Sequence, residues 1–249
     1  MRKTIYKCYV GSKAHNLYIP PSQSEEFGTC DIDTMEFFAY DKKYYLGLGG
    51  YYYDGDTIED KHDDIDSVGH EIRKAIDLLK KGNPNLLVTL FNDPSSYLEL
   101  STGGKLLLNN KELFVGANNI KNRFIGYANS QIYRMQKGSY KGFMGAKRKR
   151  IVDKYGYDTK NAMTLIRLLQ EGIELLTTGN LTIRKEGEER QLLIDIKCAK
   201  YKLEEIKEMS NKLFTGLETA YEKTSLPKTL NDGKIDDLLN KILELELNL

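Results

Sequence analysis

The spacing of hydrophobic residues changes partway along this chain, and that change limits its fold more than any other feature. Up to about residue 115 the apolar residues come in short runs rich in aromatic and β-branched side chains; beyond it they recur at helical spacing over long windows. Residues 5–10, Ile-Tyr-Lys-Cys-Tyr-Val, read as a strand that ends at Gly11. Ser12 is placed to cap a short helix over residues 13–17, which Pro20-Pro21 stops. Residues 31–40 read as a second strand, with Met35, Phe37 and Phe38 as its apolar content. Residues 44–53 hold Gly47, Gly49 and Gly50 among aromatics, which predicts a hairpin or a bent strand. From Ser67 onward Val68, Ile72, Ala75, Ile76 and Leu79 share one helical face, and Gly82-Asn83-Pro84 ends that helix. Residues 86–91 fit either a buried strand or a helical turn. The second half is helical. Residues 117–135 are one amphipathic segment; Met163, Ile166, Leu169, Ile173 and Leu176 form another stripe, closed by Gly179. Residues 201–221 and 235–247 follow, separated by Ser225-Leu226-Pro227 and Asn231-Asp232-Gly233. The expectation is an α+β protein, with a mixed-sheet core over residues 1–115 and a helical subdomain over residues 116–249 packed on it.

Charge adds little. The 37 basic and 36 acidic residues nearly cancel, so any surface for nucleic acid has to be local. Cys8, Cys30 and Cys198 lie far apart without CxxC spacing, which argues against a disulfide framework or a zinc site and fits a reducing cytoplasm. The apolar run after Met1-Arg2-Lys3-Thr4 is too short for a signal peptide, and no stretch is long and apolar enough for a membrane helix. The expectation is a soluble cytoplasmic protein without a membrane partner.

Two features of the first half carry chemistry. In a strand, residues two apart project to the same side, so Asp31-Ile32-Asp33 presents two carboxylates together. Such a pair is a seat for Mg²⁺, which takes hard oxygen ligands. In-line phosphoryl displacement between two metals calls for a third carboxylate, and Asp63, Asp64 and Asp66 are the candidates. Gly11-Ser12 suits a phosphate, because glycine lets the backbone come close and the N–H groups of a helix start attract anions. Each feature also has a plain structural reading: an ordinary turn, a solvated strand edge, a loop ahead of a helix cap. Their order along the chain is what points to phosphoryl chemistry.

That order resembles the DNA polymerase β-like nucleotidyltransferases, and among them the branch named for an RNA-repair pathway. The matching motifs read Gly11-Ser12-Lys13-Ala14-His15-Asn16, Asp31-Ile32-Asp33, Asp66, Glu71-Ile72-Arg73-Lys74 and Gly82-Asn83-Pro84-Asn85. Farther on, Phe124-Ile125-Gly126-Tyr127-Ala128 is similar to the family's middle helix. Tyr157-Asp158-Thr159-Lys160-Asn161-Ala162-Met163, Leu165-Ile166-Arg167-Leu168-Leu169 and Gly172-Ile173-Glu174-Leu175-Leu176-Thr177-Thr178-Gly179 are similar to its later one. The similarity spans residues 5–200. It implies a two-metal site with Gly11 and Ser12 on the nucleotide phosphates, Asp31 and Asp33 on Mg²⁺ (or Mn²⁺), and Asp66, by its spacing before the Glu71 helix, as the third carboxylate. The implied reaction moves a nucleoside monophosphate from an NTP to an acceptor hydroxyl, with an RNA end as acceptor. The alternatives are a protein of the same fold that binds nucleotide or nucleic acid without turnover, and transfer to a protein or small molecule. Three departures stand out. Eighteen residues separate Ser12 from Asp31, more than the family has there, so residues 22–29 read as an insertion. Asn16 stands where glycine is common, and no glutamate occurs at Val88 or Thr89.

Five other groups of residues stand apart from these motifs. Lys137, Lys141, Lys147, Arg148, Lys149, Arg150 and Lys154 lie among Tyr140, Phe143 and Tyr155, a composition that suits single-stranded nucleic acid and equally a solvated loop. The proposed nucleic-acid contacts are Lys147, Arg148, Lys149 and Arg150. Lys160 and Arg167 sit seven apart on one helical face, placed to meet a nucleotide's phosphates or to form structural salt bridges. Tyr44, Tyr45, Tyr51, Tyr52 and Tyr53 suit base stacking or core packing. His15, His62 and His70 lack metal-ligand spacing, and the leucine-rich stripe of residues 236–247 reads as a docking terminal helix.

Overall fold

The computed structural model describes residues 2–47, 55–135 and 145–248. In chain order β1 (Lys3–Tyr9) leads into α1 (Gly11–Ala14); β2 (Ile32–Ala39) is followed by α2 (Lys42–Leu46); β3 (Thr57–His62) and β4 (Ile65–Glu71) lead into α3 (Ile72–Lys80) and α4 (Pro84–Leu87); β5 (Tyr97–Leu100) precedes α5 (Thr102–Leu108). The five strands form one sheet in the order β3-β4-β2-β1-β5. β2 and β4 pair in parallel and the other neighbours antiparallel, so the sheet is mixed and the chain is α+β. Phe37, Phe38 and Ala39 on central β2 are fully buried, as expected of a strand covered on both faces. Each such phenylalanine stabilises the fold by about 1.5–3 kcal/mol. On β1, Tyr6 meets Phe37 and Tyr97 edge-on at 5.9 and 5.4 Å, and its hydroxyl donates to the Thr89 carbonyl at 2.9 Å.

Local chemistry corrects three element boundaries and decides a fourth that was left open. The helix expected from Ser67 starts at Ile72, because residues 65–71 are paired on both sides, with β2 and with β3. Glu71 then caps α3 by accepting from the N–H of Arg73 and Lys74. The stretch from Tyr44 is helical up to Leu46 rather than a hairpin, since Asp41 accepts from Lys43 N–H at 3.0 Å and starts α2; Gly49, Gly50, Tyr51, Tyr52 and Tyr53 lie outside the described residues. Ser12 does not cap a helix. Val10 holds that position with its N–H bonded to the Asp33 carbonyl at 2.9 Å, and the left-handed Gly11 turns the chain straight into α1. Residues 86–91 are a helical turn, begun at Asn83 and Pro84 and tightened to a 3₁₀ turn over Val88–Phe91.

The second half folds as α6 (Ala117–Met135), α7 (Ala146–Tyr155), α8 (Thr159–Thr178), α9 (Gly187–Lys197), α10 (Leu203–Lys223) and α11 (Asp232–Leu247). α8 lies at the centre of α6, α9 and α10. Its apolar stripe, Met163, Leu165, Ile166, Leu169, Leu175 and Leu176, is buried; Asp158 caps its start and left-handed Gly179 its end. No helix among the described residues is long and apolar enough to cross a membrane, and the three cysteines are free thiols.

The chain divides into two compact units, and a single cut near residue 115 does not separate them. One is Met1–His15, Asp31–Gly116 and Thr229–Leu249; the other is Asn16–Cys30 and Ala117–Lys228. The segment Asn16–Cys30 goes with the helices because they hold its backbone: Lys197 donates to the Leu17 carbonyl at 2.9 Å and Arg190 to that of Asn16 at 2.8 Å. Lys147 reaches Gly28 O, while Glu26 pairs with Lys154 at 2.9 Å and Phe27 packs on the Tyr155 ring. Helix α11 goes with the sheet because it packs on α5 and places buried Glu246 at the α5 N-terminus. Glu246 accepts from Gly103 N–H at 2.7 Å and from the Ser101 hydroxyl, and pairs with Lys3 at 2.7 Å. Burial pushes its carboxyl up, but the bonds from Lys3, Ser101 and Gly103 together outweigh that and hold it below the usual range. Glu246→Ala is therefore expected to cost about 2 kcal/mol, since it strips a buried N–H and a hydroxyl of their acceptor. The depressed pKa makes this stabilisation present at neutral pH and lost as pH falls through the folded-state value. Urea midpoints of the parent and variant should differ at pH 7 and converge in acid.

Candidate active site

The ends of β1, β2 and β4 build one site in the sheet unit. Asp33 on β2 stands in register with Asp66 on β4 across the parallel pair, so both project from one face, whereas Asp31 falls just before the start of β2 rather than inside the strand. The neighbouring pair confirms the register on the opposite face, where the Thr34 and Ser67 hydroxyls bond at 2.7 Å. Asp31 is exposed and Asp33 and Asp66 are half-buried, so the carboxylates are open to a ligand. Asp63 and Asp64 fall in the β3–β4 turn, with Asp63 in the left-handed region at φ 49°; they are not part of a helix start.

The Gly11-Ser12 turn sits directly against Asp33. A Cβ built on Gly11 falls 2.5 Å from Asp33 Oδ2, and Gly11 has φ 57°. His15, 2% exposed, supports the turn from behind: its Nδ1 lies 2.7 Å from the Gly11 carbonyl and donates to it. Glycine is required here twice over, for the left-handed backbone and for room beside the carboxylate. Gly11→Ala is expected to destabilise by about 1–2 kcal/mol from backbone strain alone. Because the new methyl also displaces Asp33, activity should fall further than stability does, which pairing a thermal melt with a pyrophosphate-release assay will read.

The donor set fits a hard divalent cation, being oxygen only and doubly or triply anionic. A cation is already drawn to it. Lys61 on β3 pairs with Asp66 at 2.9 Å, and its ammonium is held above its ordinary range by the hydrogen bond to Asp66 and then by that carboxylate's charge, with Asp31 and Asp33 adding. Among the described residues no three His, Cys, Asp or Glu side chains are gathered closely enough to hold a metal ion. Lys61 is a neighbour of the candidate carboxylates that the sequence pattern does not reveal. Its place opposite Asp66 comes from the antiparallel β3–β4 register, which was not recognised in the sequence.

The remaining candidates lie in the helical unit or serve structure. Lys160, in the first turn of α8, is exposed. Arg167 one face along makes two hydrogen bonds to fully buried Glu171, at 2.9 and 3.0 Å, which matches the salt-bridge reading of that residue. The basic run is helical from Ala146, while Lys137, Tyr140, Lys141 and Phe143 lie outside the described residues. Arg148 is tied to Asp158 and, at 2.8 Å, to Asn161; Lys147 is tied to Gly28; Lys149 and Arg150 are exposed. Tyr44 and Tyr45 hold the Arg73 guanidinium over their rings at 4.9 and 4.7 Å, and the Tyr45 hydroxyl donates to Glu71 at 2.7 Å, so both pack against protein. His70 is buried beside the Thr57 hydroxyl, and His62 is exposed near Asp60.

The family described as RlaP, RNA repair pathway DNA polymerase beta family, matches residues 2–241, nearly the whole chain and more than the similarity read from the motifs. No curated protein matches, and no solved structure does.

Proposed function

Because the chain belongs to the RNA repair pathway DNA polymerase beta family, we propose that it is a nucleotidyltransferase that moves a nucleoside monophosphate from an NTP to the hydroxyl of an RNA end, releasing pyrophosphate. The observation that carries this reading is the in-register Asp33–Asp66 pair with the Gly11 backbone against Asp33. Asp31, Asp33 and Asp66 are the residues that would hold Mg²⁺ or Mn²⁺, which when bound lowers the pKa of an attacking hydroxyl and neutralises charge on the transferring phosphoryl group. The Gly11 and Ser12 N–H groups, at a turn without side-chain bulk, are suited to the nucleotide's phosphates. Lys61, already paired with Asp66, is placed to be displaced by an incoming cation. Within the helical unit Lys160 on α8 and Lys149 and Arg150 on α7 are exposed cations of the kind that phosphate groups attract. The cytoplasm, where NTP and RNA ends coexist, is the proposed location.

The test supplies each labelled NTP with Mg²⁺ and RNA carrying a free 3′-hydroxyl, and follows label on the RNA and pyrophosphate in solution. Transfer that survives Asp31→Ala/Asp33→Ala sinks the assignment. One observation favours a second reading, nucleotide binding without turnover: the three carboxylates do not converge. Metal-dependent NTP binding in calorimetry, with no pyrophosphate released against any acceptor, selects that reading instead.

A further inference from the structure

The strand register lines up three charged side chains across the sheet unit. Lys61 on β3 stands opposite Asp66 on β4, and Asp66 stands opposite Asp33 on β2. Residues directly paired on neighbouring strands project from the same face, so an ammonium and two carboxylates form one row with β4 in the middle. The far end of the row is closed by Gly11, which packs against the Asp33 carboxylate. Lys61 engages both oxygens of Asp66: its ammonium lies 2.9 Å from Oδ1 and donates to Oδ2 at 3.1 Å. Because β4 lies between β3 and β2, a carboxylate held in this way leans toward β3, away from Asp33. A cation shared by Asp33 and Asp66 needs at least one of those oxygens to turn back. Among the described residues no three acidic, His or Cys side chains meet closely enough for a metal ion, and the Lys61–Asp66 pair supplies a physical reason.

We propose that Lys61 is a tethered cation that guards the carboxylate pair: it competes with a divalent cation for the oxygens of Asp66 and so sets the metal concentration at which the site fills. The inference rests on the reading of Asp33 and Asp66 as metal ligands and adds a control of that site. The side chains of Lys61 and Asp66 are 67% and 40% exposed, and an ion pair so open to water is weak enough to part. It is persistent all the same, since the strand register keeps the ammonium beside the carboxylate at high effective concentration. A divalent ion overcomes it because it carries twice the charge and is attracted by Asp33 as well as Asp66. Lys61 thus leaves the site accessible to metal but raises the concentration needed.

Titration of the full chain with Mn²⁺ alone, without nucleotide, tests this by calorimetry at low ionic strength. Lys61→Met is expected to bind Mn²⁺ roughly three- to tenfold more tightly than the parent. Lys61→Arg, which keeps the charge and grips a carboxylate with two parallel hydrogen bonds, should bind it no more tightly than the parent. Lys81→Met is the control, because it takes the same charge from an exposed lysine–aspartate pair on α3 and should change the affinity less than about twofold. Equal affinity in the parent and Lys61→Met overturns the proposal, as does a gain that Lys81→Met reproduces. Adding Asp33→Asn or Asp66→Asn to Lys61→Met should abolish the gain. If the gain survives both, or if neither parent nor Lys61→Met takes up Mn²⁺, the proposal and the metal assignment fall together. If the gain depends on the two aspartates while no NTP releases pyrophosphate, the role of Lys61 stands and the transferase reading fails. If transfer proceeds and Mn²⁺ affinity is indifferent to Lys61, the transferase reading stands and this proposal fails.

Discussion

Asp33→Asn should lower nucleotidyl transfer on the order of a thousandfold while leaving the melting temperature nearly unchanged. A carboxylate that holds a divalent cation contributes several kcal/mol of charge stabilisation in phosphoryl transfer, and each 1.4 kcal/mol or so is tenfold in rate. Folding is spared for structural reasons. The backbone of Asp33 carries its structural role by accepting from Val10 N–H, and asparagine keeps that bond. Its side chain is half-buried, nearly isosteric with asparagine, and stands beside Gly11, which needs space there rather than charge. Asp60→Asn on exposed β3 is the control for the loss of one negative charge without loss of the site. The rate is to be measured across a Mg²⁺ titration. A variant that recovers full rate at any metal concentration contradicts the assignment of Asp33 to the metal.

Arg167→Met should destabilise the helical unit by about 3 kcal/mol, because it leaves Glu171 charged and buried without its two hydrogen bonds. For a chain of this size that is a fall of roughly 10 °C in melting temperature. Glu171 is fully buried and Arg167 nearly so, which makes this pair unlike the exposed pairs whose loss costs little. Arg167→Met/Glu171→Leu removes both charges and should restore most of the lost stability, since replacing a buried pair with apolar side chains is close to neutral. The same variants separate the two roles read for Arg167. If the single substitution spares the melting temperature and instead weakens NTP binding, the arginine serves the nucleotide.

The motifs Gly11-Ser12, Asp31-Ile32-Asp33 and Asp66 could be picked out in the sequence because strand periodicity and residue chemistry are local properties. Helices α6 and α8 were legible within a few residues for the same reason: long amphipathic stripes with a glycine or a capping aspartate at their ends. The α3 boundary was not, because Val68 fits a helical stripe and a strand equally well, and pairing of β4 on both sides decides in favour of the strand. Likewise Lys61 is one more exposed lysine until β3 brings it across from Asp66.

What the sequence determined alone is therefore the identity and order of the chemical groups: glycine where the backbone must turn, two carboxylates at the start of a strand, a late aspartate, a helical second half. Tertiary structure decided their neighbours. It set Gly11 against Asp33, Asp66 in register with Asp33, and Glu246, at the far end of the chain, onto α5. It also placed the segment Asn16–Cys30, which interrupts the signature, among the helices. The reason is distance along the chain. Local propensity acts over a few residues, whereas buried charge and close approach are settled only when remote segments pack together.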